Sequence, residues 1–190
     1  MGAINFFIQG LKNFREVGTV SRSSKFVGKA MTNEKHIDFD QARCIVELGA
    51  GDGPITKQIL SKLAPDATLL CFEINENFCE DLKKKYANDP RIKIINDDAQ
   101  KLGEYVSAAG FDQADIVISA IPFVIIPEDD IIIAAHKHLK VGGKYIQLHY
   151  SMVAKKRYEN IFKNIQIDFV PLNVPPAFIH VCDKLPEKAN

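Results

Sequence analysis

Cys44-Ile45-Val46-Glu47-Leu48-Gly49-Ala50-Gly51-Asp52-Gly53-Pro54 carries a strand, a glycine turn and a helix opening in one stretch. The apolar run Cys44–Leu48 reads as a buried strand. Gly49, Gly51 and Gly53 let the backbone turn sharply and approach a ligand closely. Pro54 has the fixed φ that suits a first helical turn, and the helix is expected to reach Leu63. In an open α/β sheet, ligands bind at the carboxyl ends of the strands, near the point where strand order reverses. This turn is therefore the first candidate site.

Downstream the pattern repeats. Strands are expected over 67–73, 91–96, 114–121, 144–150, 165–170 and 177–183. Helices are expected over 76–87, 99–109, 128–139 and 152–163, the third closed by a break at Gly142-Gly143. Such alternation implies right-handed βαβ crossovers and a mainly parallel sheet. The link Leu172–Pro176 is too short for a parallel crossover, so the last two strands should be antiparallel. Upstream, Ile4, Phe7, Ile8, Leu11 and Phe14 form a helical stripe that Gly18 ends. Ser23 or Ser24 stands where an N-cap belongs, opening a second helix to about Met31.

The chain has 190 residues, 46% hydrophobic and 25% charged, which suits one compact globular domain and excludes a disordered or disulfide-dense chain. Lys plus Arg equals Asp plus Glu at 24 each, so a strongly basic nucleic-acid binder is not expected. The balance is uneven along the chain: Lys12, Arg15, Arg22, Lys25 and Lys29 face only Glu16 in the first 31 residues. No apolar run is long enough to cross a membrane. Asn5, Gln9 and Lys12 interrupt the first apolar stretch, so no secretory signal is expected. Cys44, Cys71, Cys79 and Cys182 form no CxxC pair and have no histidine at zinc spacing. They read as small buried side chains in a reducing cytoplasm, with no metal expected.

The glycine turn excludes two common ligand classes. A P-loop needs Gly-Lys-Ser/Thr, and here Gly53 is followed by Pro54-Ile55-Thr56. A dinucleotide loop needs GxGxxG, whose third glycine position is Pro54. An acid followed by GxGxG resembles the S-adenosylmethionine loop of class I methyltransferases. On that resemblance the fold is α/β, a Rossmann-like seven-stranded sheet of six parallel strands and one antiparallel, with helices on both faces. It would comprise an N-terminal two-helix arm at 1–32 and a cofactor-binding domain at 33–190. Glu47, Gly49, Gly51 and Gly53 would then form the cofactor loop. Glu73 ends the second strand, where an acid can accept both ribose hydroxyls. Asp98 and Ala99 follow the third strand, beside the adenine amine in that class. Ser119 ends the fourth, where the target pocket lies. Asp52 is equally readable as a plain turn residue.

The chain from about Phe6 to Asp183 resembles bacterial phospholipid N-methyltransferases. The resemblance rests on residues 6–31, VELGAGDGPIT, FEINENF, DAQKL, ISAIPF and NVPPAFIH. It implies a cytoplasmic enzyme that docks at the inner membrane face and methylates the amine of phosphatidylethanolamine. Ribosomal RNA adenine dimethyltransferases look similar through the cofactor half, but carry an Asn-Leu-Pro-Tyr type sequence where this chain has Ala120-Ile121-Pro122-Phe123. A non-catalytic cofactor-binding module is a further alternative.

Topology places His149 and Tyr150 at the end of the fifth strand, and Asn173 in the link before the last, all beside the pocket. His149 and Tyr150 are candidates to contact the acceptor amine or take its proton, with Asn173 beside them. The basic residues 1–31, with their apolar stripe, suit an anionic membrane surface. Arg22 beside Ser23-Ser24 at a helix start is a candidate anion site. Lys155-Lys156-Arg157 reads as a solvated helix face, and His136 and His138 as surface residues.

Overall fold

The computed structural model describes residues 20–121, 129–150, 155–173 and 175–186. Seven strands are present among these residues: β1 (Cys44–Leu48), β2 (Thr68–Phe72), β3 (Ile92–Ile95), β4 (Ala114–Ser119), β5 (Leu139–His149), β6 (Asn164–Val170) and β7 (Ala177–Asp183). Six α-helices accompany them among the described residues: α1 (Val20–Met31), α2 (Pro54–Leu60), α3 (Glu76–Lys85), α4 (Leu102–Ala108), α5 (Asp129–His138) and α6 (Lys155–Glu159). A 3₁₀ turn over Ala99–Lys101 leads into α4.

The strand order is β3-β2-β1-β4-β5-β7-β6. β1, β2, β3, β4 and β5 pair in parallel. β7 runs antiparallel to both β5 and β6, so β6 shares the direction of the other five. The chain moves from β1 outward through β2 and β3, then returns to place β4 on the other side of β1. The crevice between β1 and β4 is therefore the topological switch point.

Alternating strand residues feed two apolar layers. Ile45, Leu69, Cys71, Ile116, Ile118, Ile146 and Ile179 pack with Ile55 and Ile59 of α2, Leu82 of α3, and Val27 and Met31 of α1. Val46, Leu70, Val117, Tyr145 and Cys182 pack with Leu102 and Val106 of α4, Ile131 and Ile132 of α5, and Tyr158 of α6. The result is a three-layer α/β/α sandwich. The four cysteines are all reduced and buried.

The differences from the sequence expectations are local. Ser23 and Ser24 lie inside α1, not at the N-cap position that the sequence suggests. α2 stops at Leu60, three residues short of the expected Leu63. Gly142-Gly143 does not end a helix: α5 stops at His138, and β5 begins at Leu139 and runs through both glycines. Gly142 takes φ +81°, and the β4–β5 register shifts between Ala114 and Ile116. Gly142 N donates to Lys184 O and Lys184 N to Gly143 O, extending the pairing toward β7. The glycines thus accommodate an irregularity within a strand. The expected helix at 4–14, residues Pro122 and Phe123, and the start of the helix expected at 152 lie outside the described residues.

Candidate functional site

The loop after β1 is held from both sides. Gly49 N and Ala50 N donate to Phe72 O of β2, at 2.9 and 3.1 Å, and Ala120 N after β4 donates to Leu48 O at 2.9 Å. Gly49, Gly51 and Gly53 all have positive φ, at +75°, +57° and +83°. A Cβ at Gly49 would lie 3.0 Å from Ile121 Cγ1, and one at Gly53 2.7 Å from Leu82 Cδ2. At Gly51 a Cβ would meet nothing within 4 Å. Gly49 and Gly53 are therefore glycines for packing as well as conformation, whereas Gly51 exposes its backbone to open space.

Glu73, one residue beyond β2, closes the loop. Its Oε2 accepts from Gly51 N at 2.7 Å and its Oε1 from Asn75 N at 2.9 Å. Asn75 caps α3, and Asn96 Nδ2 donates to Glu73 O and Ile74 O. Ile74, 71% exposed, puts an apolar surface beside the Glu73 carboxylate. Beyond β3, Asp98 is exposed and caps the 3₁₀ turn by accepting from Gln100 N at 2.8 Å, while Ala99 is buried behind it. The neighbouring Asp97 is committed to Lys101, Tyr105 and the Asp98 amide, whose hydrogen bonds lower its carboxyl to about 2.

Glu47 lies under the loop, fully buried, on the β1 face covered by α2. Register pairs it with Cys71, whose thiol donates to Glu47 Oε2 at 3.6 Å, and Thr56 of α2 also approaches the carboxyl. Among the described residues Glu47 Oε1 has no hydrogen-bond partner. Burial pushes the carboxyl up to about 7, against the opposing pull of Thr56 and Cys71. A buried carboxylate oxygen without a donor is costly, so this atom calls for an external cation or donor.

Ser119, buried at the end of β4, accepts from Ile121 N at 3.3 Å. Gln147 was not singled out in the sequence, yet it is fully buried and its Nε2 donates to Ile121 O at 2.9 Å. Tyr145 OH in turn donates to Gln147 Oε1 at 2.6 Å. An isolated amide in an apolar strand is the one sequence signal that marks it. These groups fix the backbone that leaves β4 beside the loop.

The three acceptor candidates separate. His149 is buried on the sheet face covered by α6. Its Nε2 hydrogen-bonds the Tyr158 hydroxyl at 2.9 Å, and its ring lies 4.6 Å from His180. Burial, with His180 and Arg157 nearby, lowers it to about 4, so it is neutral at physiological pH. Tyr150 is half exposed just beyond β5. Asn173 is buried in the β6–β7 link, where Nδ2 donates to Pro175 O at 2.6 Å, and it also faces the Tyr150 hydroxyl as a hydrogen-bonding partner. Burial raises the Tyr150 phenol, against the opposing effect of Asn173. The structure thus brings Tyr150 and Asn173 together and packs His149 into the core. Among the described residues no group of His, Cys, Asp and Glu side chains is arranged to hold a metal ion.

A seven-stranded sheet in this order, with a glycine loop at the switch point and an acid closing it from β2, defines a nucleoside-cofactor enzyme of the methyltransferase type. Residues 45–143 match the family model of the methyltransferase domain, just over half of the chain, and the chain belongs to that family. It is an S-adenosylmethionine-dependent methyltransferase. Over 175 residues it is 29% identical to the ornithine lipid N-methyltransferase of Singulisphaera acidiphila, covering 90% of each chain. It is 33% identical to an rRNA methyltransferase of Streptomyces thermotolerans over 67 residues, which is 35% of this chain and 21% of that one. The fold is shared with fibrillarin of Aeropyrum pernix, whose structure contains bound S-adenosylmethionine: TM-score 0.62, 16% identity, covering 84% of this chain and 76% of that one.

The residues present fit the cofactor. Open space at Gly51, the anchored Glu73 carboxylate, the exposed apolar Ile74 and the undonated Glu47 Oε1 meet what a ribose, an adenine ring and an ammonium require.

Proposed function

We propose that the chain N-methylates a primary amine carried on a membrane lipid, with phosphatidylethanolamine as the acceptor. The observation that carries this reading is the match to an ornithine lipid N-methyltransferase along 90% of both chains, which extends well beyond residues 45–143 of the family model. Both lipids present a primary amine at the head group. The basic residues of 1–31 would meet an anionic membrane surface, and among the described residues no helix is long and apolar enough to cross a membrane.

When bound, S-adenosylmethionine supplies a methyl group on a sulfonium centre, already activated for in-line transfer. The chain's own task is then chiefly alignment. Glu73 would hold the ribose hydroxyls, Asp98 the adenine amine, and Glu47 the ammonium of the amino-acid end. Gly49, Gly51 and Gly53 keep the backbone close, with Ala99 and Ser119 lining the two ends. Tyr150 and Asn173 would orient the acceptor nitrogen. The raised phenol keeps its proton at neutral pH, so the Tyr150 oxygen serves as a hydrogen-bond acceptor for the amine and not as a proton store. His149 is packed against Tyr158 and does not share that role.

Incubation with labelled S-adenosylmethionine and separate pools of phosphatidylethanolamine, ornithine lipid and ribosomal RNA tests the proposal. Label in phosphatidylethanolamine is the expected result. Label in ornithine lipid alone would move the acceptor within the lipid class, and label in RNA alone would overturn the lipid reading. No label in any pool would favour a non-catalytic module.

A further inference from the structure

We propose that a corner of the folded domain, formed by Phe26 of α1 with Phe169 and Leu172 at the end of β6, is the face by which the protein seats on an anionic lipid bilayer. The inference rests on the lipid-acceptor reading above and assigns the contact to the folded body, separately from residues 1–19.

Three of the large apolar side chains that are exposed among the described residues gather here: Phe26 at 41%, Phe169 at 57% and Leu172 at 67%. One groove joins them. Its walls are Phe26, Ala30 and Lys35 on one side, and Phe169, Pro171 and Leu172 on the other. Phe169 lies beside the Phe178 ring, its cross-strand partner in β7, with ring centroids 5.1 Å apart. Leu172 immediately precedes Asn173, which faces the Tyr150 hydroxyl. The apolar corner is therefore continuous with the proposed acceptor position. Such a cluster on an exposed rim marks an interaction surface.

The charges decide the partner. Lys25 and Lys29 flank Phe26 on α1, both exposed, and neither pairs with an acid among the described residues. The one carboxylate in the groove, Asp168, is neutralised by Lys35 Nζ and bonded to His36 Nε2, each at 2.8 Å. Apolar side chains with unpaired lysines beside them and no free acid suit a bilayer bearing anionic lipid, where apolar insertion and surface attraction act together. A second copy would bring the same lysines against themselves.

The chain contains no tryptophan, so Phe169→Trp creates a single reporter in the full-length protein. Adding phosphatidylglycerol vesicles should shift its emission to shorter wavelength, and brominated acyl chains should quench it. Raising salt should reverse both, since exposed charges are screened over about 8 Å at physiological ionic strength. In a second measurement, Phe169→Ser combined with Leu172→Ser should weaken flotation with those vesicles about tenfold or more, with thermal melting and cofactor affinity unchanged. Methylation of detergent-dispersed phosphatidylethanolamine should persist in that double variant. An unshifted emission with vesicles would overturn the proposal. So would a shift that appears without vesicles and tracks self-association in sedimentation, which would assign the corner to a second copy. Flotation lost only on deleting residues 1–19 would assign the contact to that segment. These vesicles carry no amine acceptor of the proposed kind, so docking is read apart from the chemistry: docking with no methylation of detergent-dispersed phosphatidylethanolamine would reject the lipid-amine function alone. Methylation in detergent without docking would reject this inference alone.

Discussion

Glu47 shows how one atom ties stability to ligand. Its folded-state carboxyl sits near 7, raised by burial above its ordinary value of 4.5. The folded chain therefore binds a proton that the unfolded chain has lost between those values, and its stability falls as pH rises from about 4.5 to 7. Glu47→Gln should remove that dependence. Without cofactor, the variant should match the wild type near pH 4.5 and exceed it by on the order of 2–3 kcal/mol above pH 7, in urea titrations at each pH. Cofactor affinity should move the other way, weakening above pH 7 where the ionised carboxylate would meet an ammonium. A second test is Glu73→Ala, which frees Gly51 N and Asn75 N as well as removing the ribose acceptor. Calorimetric titration should show S-adenosylmethionine binding weakened by roughly 1.5–3 kcal/mol, the range for hydrogen bonds to charged groups. Gly51→Val should abolish binding, because its Cβ branches into the open space while φ is +57°. The positions of Glu47, Glu73 and Asp98 near strand ends were legible from the apolar runs that precede them. The Thr56 and Cys71 neighbours of Glu47 were not, since they depend on the β1–β2 register.

Elements were legible where one period dominated. β1 has the bounds that its apolar run predicts, and the antiparallel β7 follows from a link too short to cross the sheet. Sequence failed where a glycine pair had two uses: Gly142-Gly143 reads as a helix stop but serves a bulged strand, and only pairing with β4 and β7 distinguishes them. Asp115 was missed for a similar reason. Its Oδ2 accepts from both Arg43 N and Cys44 N at 2.7 Å, and Lys140 also binds its carboxylate, so one acid joins the starts of β1, β4 and β5. Burial acts to raise this carboxyl, but the bonds to Lys140 and to the two amides outweigh it and leave it below its ordinary value. The resulting stabilisation is present above the ordinary carboxylate range and is lost as pH falls through the lowered folded value. Asp115→Ala should destabilise the fold by about 2–3 kcal/mol, by leaving two strand amides without an acceptor. Because this cluster lies at the amino edge of the sheet, cofactor affinity measured well below the melting temperature should be unchanged.

At the scale of the molecule, the carboxyl edge of the sheet divides at the β1–β4 switch point. β1, β2 and β3 present Gly51, Glu73 and Asp98, while β5 and the β6–β7 link present Tyr150 and Asn173. Alternation along β5 explains why adjacent candidates part company: His149 turns to the α6 face and Tyr150 emerges beside Asn173. Sequence placed both at the pocket because a strand end is legible, whereas the face each side chain takes depends on where the strand stops. If the two halves are functionally distinct, substitutions should separate binding from turnover. Tyr150→Phe keeps the ring and removes only the hydroxyl, which contributes nothing to the cofactor groups above. S-adenosylmethionine affinity should stay within about a factor of three, under roughly 0.7 kcal/mol. Turnover on phosphatidylethanolamine in detergent should fall on the order of 10²-fold, the lower end for a lost catalytic proton or hydrogen-bond role. Asn173→Ala should show the same split with an added loss of stability of about 1 kcal/mol, because Pro175 O loses its hydrogen bond from the buried Asn173 amide. His149→Phe, by contrast, should change melting temperature more than turnover. Joint loss of affinity and turnover in Tyr150→Phe would place that hydroxyl in the cofactor half. Full turnover in it would mean that desolvation alone prepares the amine.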